Sequence, residues 1–384
     1  MTWKTMDIED QRVRFVVLAS RAERPFSVLC AEFGISRPTG YLWLGRYEQS
    51  GVAGLQELSR RPRMSPQQTD PQLEAAVAEA RRNFPDWGAR KLAVLLARRG
   101  IYLPVSTIHR ILLRRGLVGE ASRHRPAIER FERDSPNQLW QMDFKGPISK
   151  GEALGPLSVL DDHSRYLLAL QQLDSTRGEV VREQLQQAFL DGGVPDAMLM
   201  DHGTPWWGRS APQGLTRLTL WLVRQGVELH FCRVRHPQTQ GKVERFHGEL
   251  QRAADKRGLP RASAQRQDWL DQYRWEHNHL RPHEALAMTT PASHWRPSPR
   301  RYNPNPSPWE YAEGALVRKL DCDGKISFAG RNWTISLALA GERVQLQRID
   351  QRVMVFYCRT LIRELDLVNL QSTIVDHCLD AEIS

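Results

Sequence analysis

The sequence predicts a multidomain chain with three parts: an all-α front of helix-turn-helix modules, a central α/β domain, and a small SH3-like β-barrel. Three observations predict it. Apolar residues recur at helical spacing to about residue 115, then short apolar runs alternate with helices, and after Gly314 the period changes to two. The 384 residues suffice for about two to four domains. Charge is also uneven: residues 1–125 hold 21 Lys and Arg against 12 Asp and Glu, so +9 of the net +10 lies there. A basic front on a nearly neutral remainder suits nucleic acid as a partner, the plainer reading being a basic surface that only aids solubility.

The first helix is expected over 10–22 with Val13, Phe15, Val16 and Val17 on its apolar face, and a second over 27–33. A Gly34-Ile35-Ser36 turn follows, with Ser36 as N-cap and Pro38 in the first turn of a third helix over 37–47. Arg37, Thr39 and Arg46 on that helix are candidate DNA contacts in the major-groove manner of a helix-turn-helix. Arg60, Arg61 and Arg63, between prolines, predict an extended basic linker that can follow a phosphate backbone. A second helical set begins near Thr69 or Asp70, continues through 89–99 with Leu92, Leu95 and Leu96 inward, and ends in a helix capped at 104–106. That last helix carries His109, Arg110, Arg114 and Arg115 around Ile108, Ile111 and Leu112, making His109, Arg110 and Arg114 further DNA candidates.

The middle of the chain carries three carboxylates in distinctive settings. Asp143 ends Leu139-Trp140-Gln141-Met142, Asp201 ends Ala197-Met198-Leu199-Met200, and Glu244 follows a polar loop, His236-Pro237-Gln238-Thr239-Gln240-Gly241-Lys242-Val243, that opens a helix. Strands are expected over 157–160 and 166–170, joined by the turn Asp161-Asp162-His163-Ser164-Arg165, with both aspartates solvated in that turn. Helices over 179–190 and 216–225 and strands over 197–200 and 227–231 complete an RNase-H-like order of elements. Three acidic side chains delivered by two strand ends and a helix suit hard divalent cations, and two such ions about 3.5–4 Å apart serve phosphodiester chemistry. Asp143, Asp201 and Glu244 are therefore both the candidate catalytic residues and the candidate metal ligands, with Asp143 bridging. Lys242 and Arg245, beside Glu244, are candidate phosphate clamps, while Val243, Phe246 and Leu250 are expected in the core. His236 and His247 are weaker candidates for positioning substrate. Trp206 and Trp207, in the loop after Asp201, either stack on an unpaired base or anchor that loop.

These motifs, with Asp201-His202-Gly203-Thr204-Pro205 and Asn278-His279-Leu280-Arg281-Pro282-His283-Glu284-Ala285-Leu286, resemble the DDE-class transposases, whose catalytic core is shared with retroviral integrases. Within that class the chain is most similar to bacterial insertion-sequence transposases of the 481 group, over nearly its whole length. The resemblance implies a central RNase-H-like integrase core and an Mg²⁺-dependent polynucleotidyl transferase using two ions, with Mn²⁺ substituting. It further implies double-stranded DNA as partner (transposon ends and target), a homodimer or higher oligomer on DNA, and a cytoplasmic, nucleoid-associated location. Cleavage of the element ends and joining of the 3′-OH ends to target DNA need no Tyr or Ser nucleophile. The alternative is a catalytically silent DNA-binding regulator derived from such an enzyme. Two departures stand out: His202 replaces the usual Asn, and 42 residues separate Asp201 from Glu244, the excess falling near 208–216.

After six prolines between 291 and 308, strands are expected over 316–320, 325–328, 331–334, 343–348 and 353–357. Arg318, Lys319, Arg331 and Arg348 are possible contacts if this barrel binds DNA or bridges protomers; the alternative is a structural cap. The expected divisions are 1–58, 59–68, 69–125, 135–295, 296–312 and 313–370. The five cysteines lack paired spacing, against a zinc ribbon or disulfide framework, and no apolar run approaches the roughly 20 residues of a membrane span.

Overall fold

The computed structural model describes residues 8–57, 69–119, 132–149, 152–208, 214–232, 240–375 and 377–378. The chain divides into two units, Met1–Thr69 and Asp70–Ser384. In the first unit α1 (Ile8–Ser20), α2 (Phe26–Glu32) and α3 (Arg37–Ser50) surround Phe15, Val16, Leu29, Cys30 and Leu55. The Ser36 hydroxyl accepts from the Thr39 amide at the start of α3, as the capping logic requires. Gly40 is where α3 crosses its neighbours: a Cβ there would lie 2.7 Å from Cys30 Sγ, so no larger residue fits.

The second unit opens with α4 (Pro71–Asn83), α5 (Ala89–Ala97) and α6 (Val105–Arg114) around Val77, Trp87, Leu92, Leu96, Ile108 and Ile111. A five-stranded sheet follows in the order β3-β2-β1-β4-β7. Its strands are β1 (Leu139–Phe144), β2 (Leu157–Asp161), β3 (Leu167–Gln171), β4 (Ala197–Met200) and, after two short strands, β7 (Glu228–Phe231). The short strands β5 (Trp207–Gly208) and β6 (Gly214–Leu215) pair with each other where the sequence suggests only loop. β1 runs antiparallel to β2 and parallel to β4, which runs parallel to β7. Because successive strand residues face opposite ways, both faces are apolar. One packs on α7 (Gly178–Gly192) and α8 (Arg217–Arg224) through Val181, Leu185, Phe189 and Leu222. The other packs on α9 (Gly241–Arg257) and α10 (Ser263–His279) through Phe246, Leu250, Leu270 and Tyr273.

Among its described residues the C-terminal region contains seven strands where the pattern predicts five. β8 (Leu316–Lys319), β11 (Arg343–Ile349), β12 (Arg352–Tyr357), β13 (Thr360–Asp366) and β14 (Gln371–Ile374) form one antiparallel sheet, and β9 (Lys325–Phe328) pairs with β10 (Arg331–Thr334). The Pro-rich segment before it lies along the core: Arg300 donates to the carbonyls of Pro195, Gln225 and Gly226, and Trp295 stacks on Tyr166 at 4.1 Å. Among the described residues no helix is long and apolar enough to cross a membrane, and Cys30, Cys232, Cys322 and Cys358 form no disulfide.

A buried ionic network joins α4–α6 to the back of the core. Asp86 accepts from Arg257 Nη2 at 2.5 Å and Nε at 2.8 Å and from Arg281 Nη1 at 2.7 Å. Arg257 also pairs with Glu276, and Glu249 lies 3.1 Å from Arg281 and 3.9 Å from Lys91. Burial opposes ionisation of Asp86 and Glu249, but the cations beside them hold both carboxyls below their ordinary range.

His277 is buried and His283 half-buried behind the network. Burial lowers His277 to about 4 and His283 well below its ordinary 6.5. For a base held low in the folded state, the unfolded chain takes up the proton first, so stability present above pH 6.5 is lost as pH falls towards 4. His277 alone is expected to cost about 2 kcal/mol between pH 7 and pH 5. Urea denaturation at the two pH values measures it; identical midpoints would contradict the buried, neutral imidazole.

Candidate active site

Register alone brings two of the three carboxylates together. The parallel ladder pairs Leu139 with Ala197, Trp140 with Met198 and Gln141 with Leu199. Continued for two residues it sets Asp143 opposite Asp201, at the carboxyl ends of adjacent strands roughly 4.8 Å apart. The next ladder pairs Met200 with Phe231, which sets Cys232 beside Asp201. Glu244 stands in the first turn of α9, whose start is fastened to β1: Gln141 Oε1 accepts from the Val243 amide at 3.2 Å.

Electrostatics report the same convergence. Burial, then the charge of Asp201 and that of Glu244, push Asp143 up to about 7 against a hydrogen bond from the Phe144 amide. Partial burial raises Glu244 as well. The Cys232 thiol is pushed up to about 12 by burial and then by the charges of Asp201, Asp143 and Glu244. His247, one turn beyond Glu244, is lowered to about 3 by burial and so is neutral at pH 7. Its Nε2 is 3.0 Å from Ser158 Oγ, directly across β2 from Asp143, and its Nδ1 is 3.8 Å from Asp143 Oδ2.

Asp201 is aimed by its own loop. Its Oδ1 accepts from the Gly203 amide at 2.9 Å and from Trp206 Nε1 at 2.5 Å. A Cβ at Gly203 would stand 2.8 Å from that oxygen, so glycine permits the fold-back. Trp206 is buried and stacks on Phe144 at 5.6 Å, which makes it the loop's anchor. Trp207 packs edge-on against Phe231 at 4.9 Å, and His202 lies over both rings.

Three expectations change. Asp161 and Asp162 are not solvated turn residues; both are fully buried. Asp161 accepts from the Asn137 amide and from the amide and hydroxyl of Ser164. Asp162 accepts from the Arg133 amide, from Gln141 Nε2 at 2.8 Å and from Lys242 Nζ at 2.5 Å. Lys242 therefore points into the protein, burial lowering its amine to about 8. Arg114 is ion-paired to the buried Glu74, whereas His109 and Arg110 of α6 are exposed. Arg37 is exposed at the start of α3, Thr39 faces the Ser36 hydroxyl at 2.9 Å, and Arg46 lies over the Trp43 ring at 4.9 Å. Arg245 is exposed beside Glu244, as are Arg318, Lys319, Arg331 and Arg348 in the barrel. Arg60, Arg61, Arg63 and His236 lie outside the described residues.

The donor set suits a hard divalent cation: three carboxylates, two on adjacent strand ends, close enough that their repulsion raises one of them. Among the described residues no three His, Cys, Asp or Glu side chains are already spaced to hold a metal ion.

A mixed sheet of this order, with helices on both faces and two carboxylates at the carboxyl ends of its neighbouring parallel strands, is an integrase-type core. Residues 133–237 and 225–291 match the integrase core domain, 11–63 a helix-turn-helix domain and 39–112 a homeodomain-like domain. Residues 315–373 match the C-terminal domain of the IS481 family transposases. The chain thus matches, in order, helix-turn-helix domains, an integrase core domain and the C-terminal domain of IS481 family transposases.

Its curated relatives are insertion-element proteins. The IS407 31.7 kDa protein of Burkholderia multivorans is 26% identical over 223 residues, 56% of this chain and 76% of that protein. The IS476 39.2 kDa protein of Xanthomonas euvesicatoria is 25% identical over 158 residues, 41% of this chain and 44% of that protein. Among solved structures, a simian T-cell lymphotropic virus intasome chain is matched at TM-score 0.39 and 14% identity, over 78% of this chain and 99% of that one. The HTLV-2 integrase catalytic core domain in complex with magnesium is matched at TM-score 0.34 and 15% identity, over 42% of this chain and 99% of that one.

Proposed function

We propose that this chain is a DNA transposase that binds the terminal inverted repeats of its own insertion sequence, cleaves the element ends and joins the 3′-OH ends to target DNA. The observation that carries the reading is the register placing Asp143 opposite Asp201 with Glu244 on the helix fastened to the same strand. Asp143 would bridge two Mg²⁺ ions, with Asp201 holding one and Glu244 the other; Mn²⁺ would substitute. When bound, such ions activate the attacking oxygen and relieve charge on the departing one. In the first step water attacks the phosphorus at the element end and the 3′-oxygen leaves. In the second that 3′-hydroxyl attacks a target phosphorus and displaces a target 3′-oxygen.

The protein's part is orientation. The Gly203 amide and Trp206 indole engage Asp201 Oδ1, so Oδ2 is the oxygen that would hold an ion. Arg245, exposed beside Glu244, would contact a phosphate near the reacting bond. Arg37 and Thr39 on α3, and His109 and Arg110 on α6, would read the end sequence as a double-stranded DNA contact in two modules. One chain offers one site and an element has two ends, so the working form would be a homodimer or larger assembly on DNA.

The test is strand transfer in vitro with Mg²⁺, a labelled duplex carrying the element end, and a plasmid target. Joined product supports the reading; specific end binding without cleavage or joining in Mg²⁺ or Mn²⁺ would instead favour a silent regulator. Trp206→Phe supplies a finer check, since it keeps the ring on Phe144 and removes the N–H to Asp201. A hydrogen bond to a charged group is worth about 1.5–3 kcal/mol, so joining should slow on the order of tenfold or more with little change in melting temperature. An unchanged rate would show that Asp201 keeps its aim without the indole.

A further inference from the structure

The start of α9 is tied to β1 by a closed ring of contacts. Gln141, two residues before Asp143 on the same face of β1, accepts the Val243 amide on its Oε1 and donates from its Nε2 to Asp162 Oδ1. Asp162 Oδ2 accepts from Lys242 Nζ, and the same ammonium donates to the Asp162 carbonyl at 3.1 Å. Lys242 and Val243 adjoin in α9, so the ring closes: strand, turn, helix and back to strand. Beside it Gln240 Nε2 reaches the Met142 carbonyl at 3.4 Å.

A helix ordinarily satisfies its first amides with a side-chain cap from its own sequence. Here Gln240 makes no such bond, and the amide immediately before Glu244 is taken by the strand that carries Asp143. Asp162, with no exposed surface, has no role in the chemistry above, yet the Arg133 amide, Gln141 and Lys242 donate to it from the segment leading into β1, from β1 and from α9.

We propose that Asp162 and Lys242 are positioning residues that set where Glu244 stands relative to Asp143, so that Lys242 acts through the helix start and not on DNA phosphate. This rests on the three-carboxylate reading. Misplacing a reacting group by about 1 Å costs on the order of 100-fold in rate, which sets the size of the expected effect.

The experiment compares the full-length wild type with Lys242→Met and the pair Asp162→Asn/Lys242→Met. The pair removes both charges together, so a folded variant is available if the single substitution strands a buried carboxylate. Three quantities are read: joining rate, salt dependence of end-duplex affinity, and hydrogen exchange of the Val243 and Glu244 amides without metal. The ring predicts about 100-fold slower joining, an affinity within about twofold, an unchanged salt slope, and faster exchange in the first turn of α9. A salt slope reduced by about one with unchanged exchange would make Lys242 a phosphate contact and overturn the proposal. Wild-type exchange and joining in a folded variant would overturn it too. A wild type that never joins DNA would count against the three-carboxylate reading, and the exchange rates would still decide the ring.

Discussion

Asp143→Asn is expected to lower strand transfer by on the order of a thousandfold or more while the protein folds and still binds the element end. Asp143 is the carboxylate on which the others converge, raised by burial and by Asp201 and Glu244. An amide in its place keeps the shape and removes the charge that a bridging ligand must provide. Metal-borne stabilisation of the transition state is worth several kcal/mol, at about 1.36 kcal/mol per decade of rate. End-duplex affinity should be unchanged or tighter, because one negative charge near phosphate is lost. Asp201→Asn and Glu244→Gln should fall in the same range, and combining them should add little, since the three act as one unit. The measurement is joined product per unit time with Mg²⁺. Residual joining within tenfold of wild type would remove Asp143 from the centre of the mechanism.

The largest stability effect is expected at Asp86→Ala. Asp86 is buried and holds two guanidinium groups, those of Arg257 and Arg281. Removing one member of a buried ion network strands the rest, at a cost of about 3–5 kcal/mol. The urea midpoint should fall accordingly, and protease sensitivity should appear first in α4–α6, which lose the anchor to α9 and α10. A shift below about 1 kcal/mol would mean that water reaches the guanidinium groups and replaces the carboxylate. The acid sensitivity expected of His277 and His283, which lie against that network, comes from their burial, and Glu249 works against it.

The sequence made the carboxylates readable because each ends or opens an element whose local pattern is strong. Asp143 and Asp201 close apolar runs, and Glu244 follows a turn-rich loop into an amphipathic helix. The fold class followed from the same periodicities. Partners brought in from afar were not readable. Asp-Asp-His-Ser-Arg is as good a turn as it looks, and its burial comes from α9, 80 residues later, delivering Lys242 to Asp162. Gln141 was the available signal: a polar residue inside a strand otherwise buried and apolar needs a partner. Lys242 looked like a phosphate clamp because its helix neighbours are charged, and only the strand beneath shows where it points. Trp206 offered no sign that its N–H would reach back five residues to Asp201. In the barrel, β13 escaped the period-two pattern because Arg363 occupies a buried position, and β14 because Gln371, Ser372 and Thr373 leave it almost no apolar signature.

Helix α9 is held at both ends, by the ring at Gln141 and Asp162 near Glu244 and by Asp86 and Glu276 at Arg257. Arg257 lies thirteen positions after Glu244, about 20 Å along a helix, or roughly six base pairs of duplex rise. The helix is in effect a caliper bar, with a helical module clamped to one end and a carboxylate fixed at the other. On the proposed function, a duplex gripped by that module would meet the carboxylate at a set stagger, so the position of the cut would be measured out in protein backbone and need not be spelled in the bases around it.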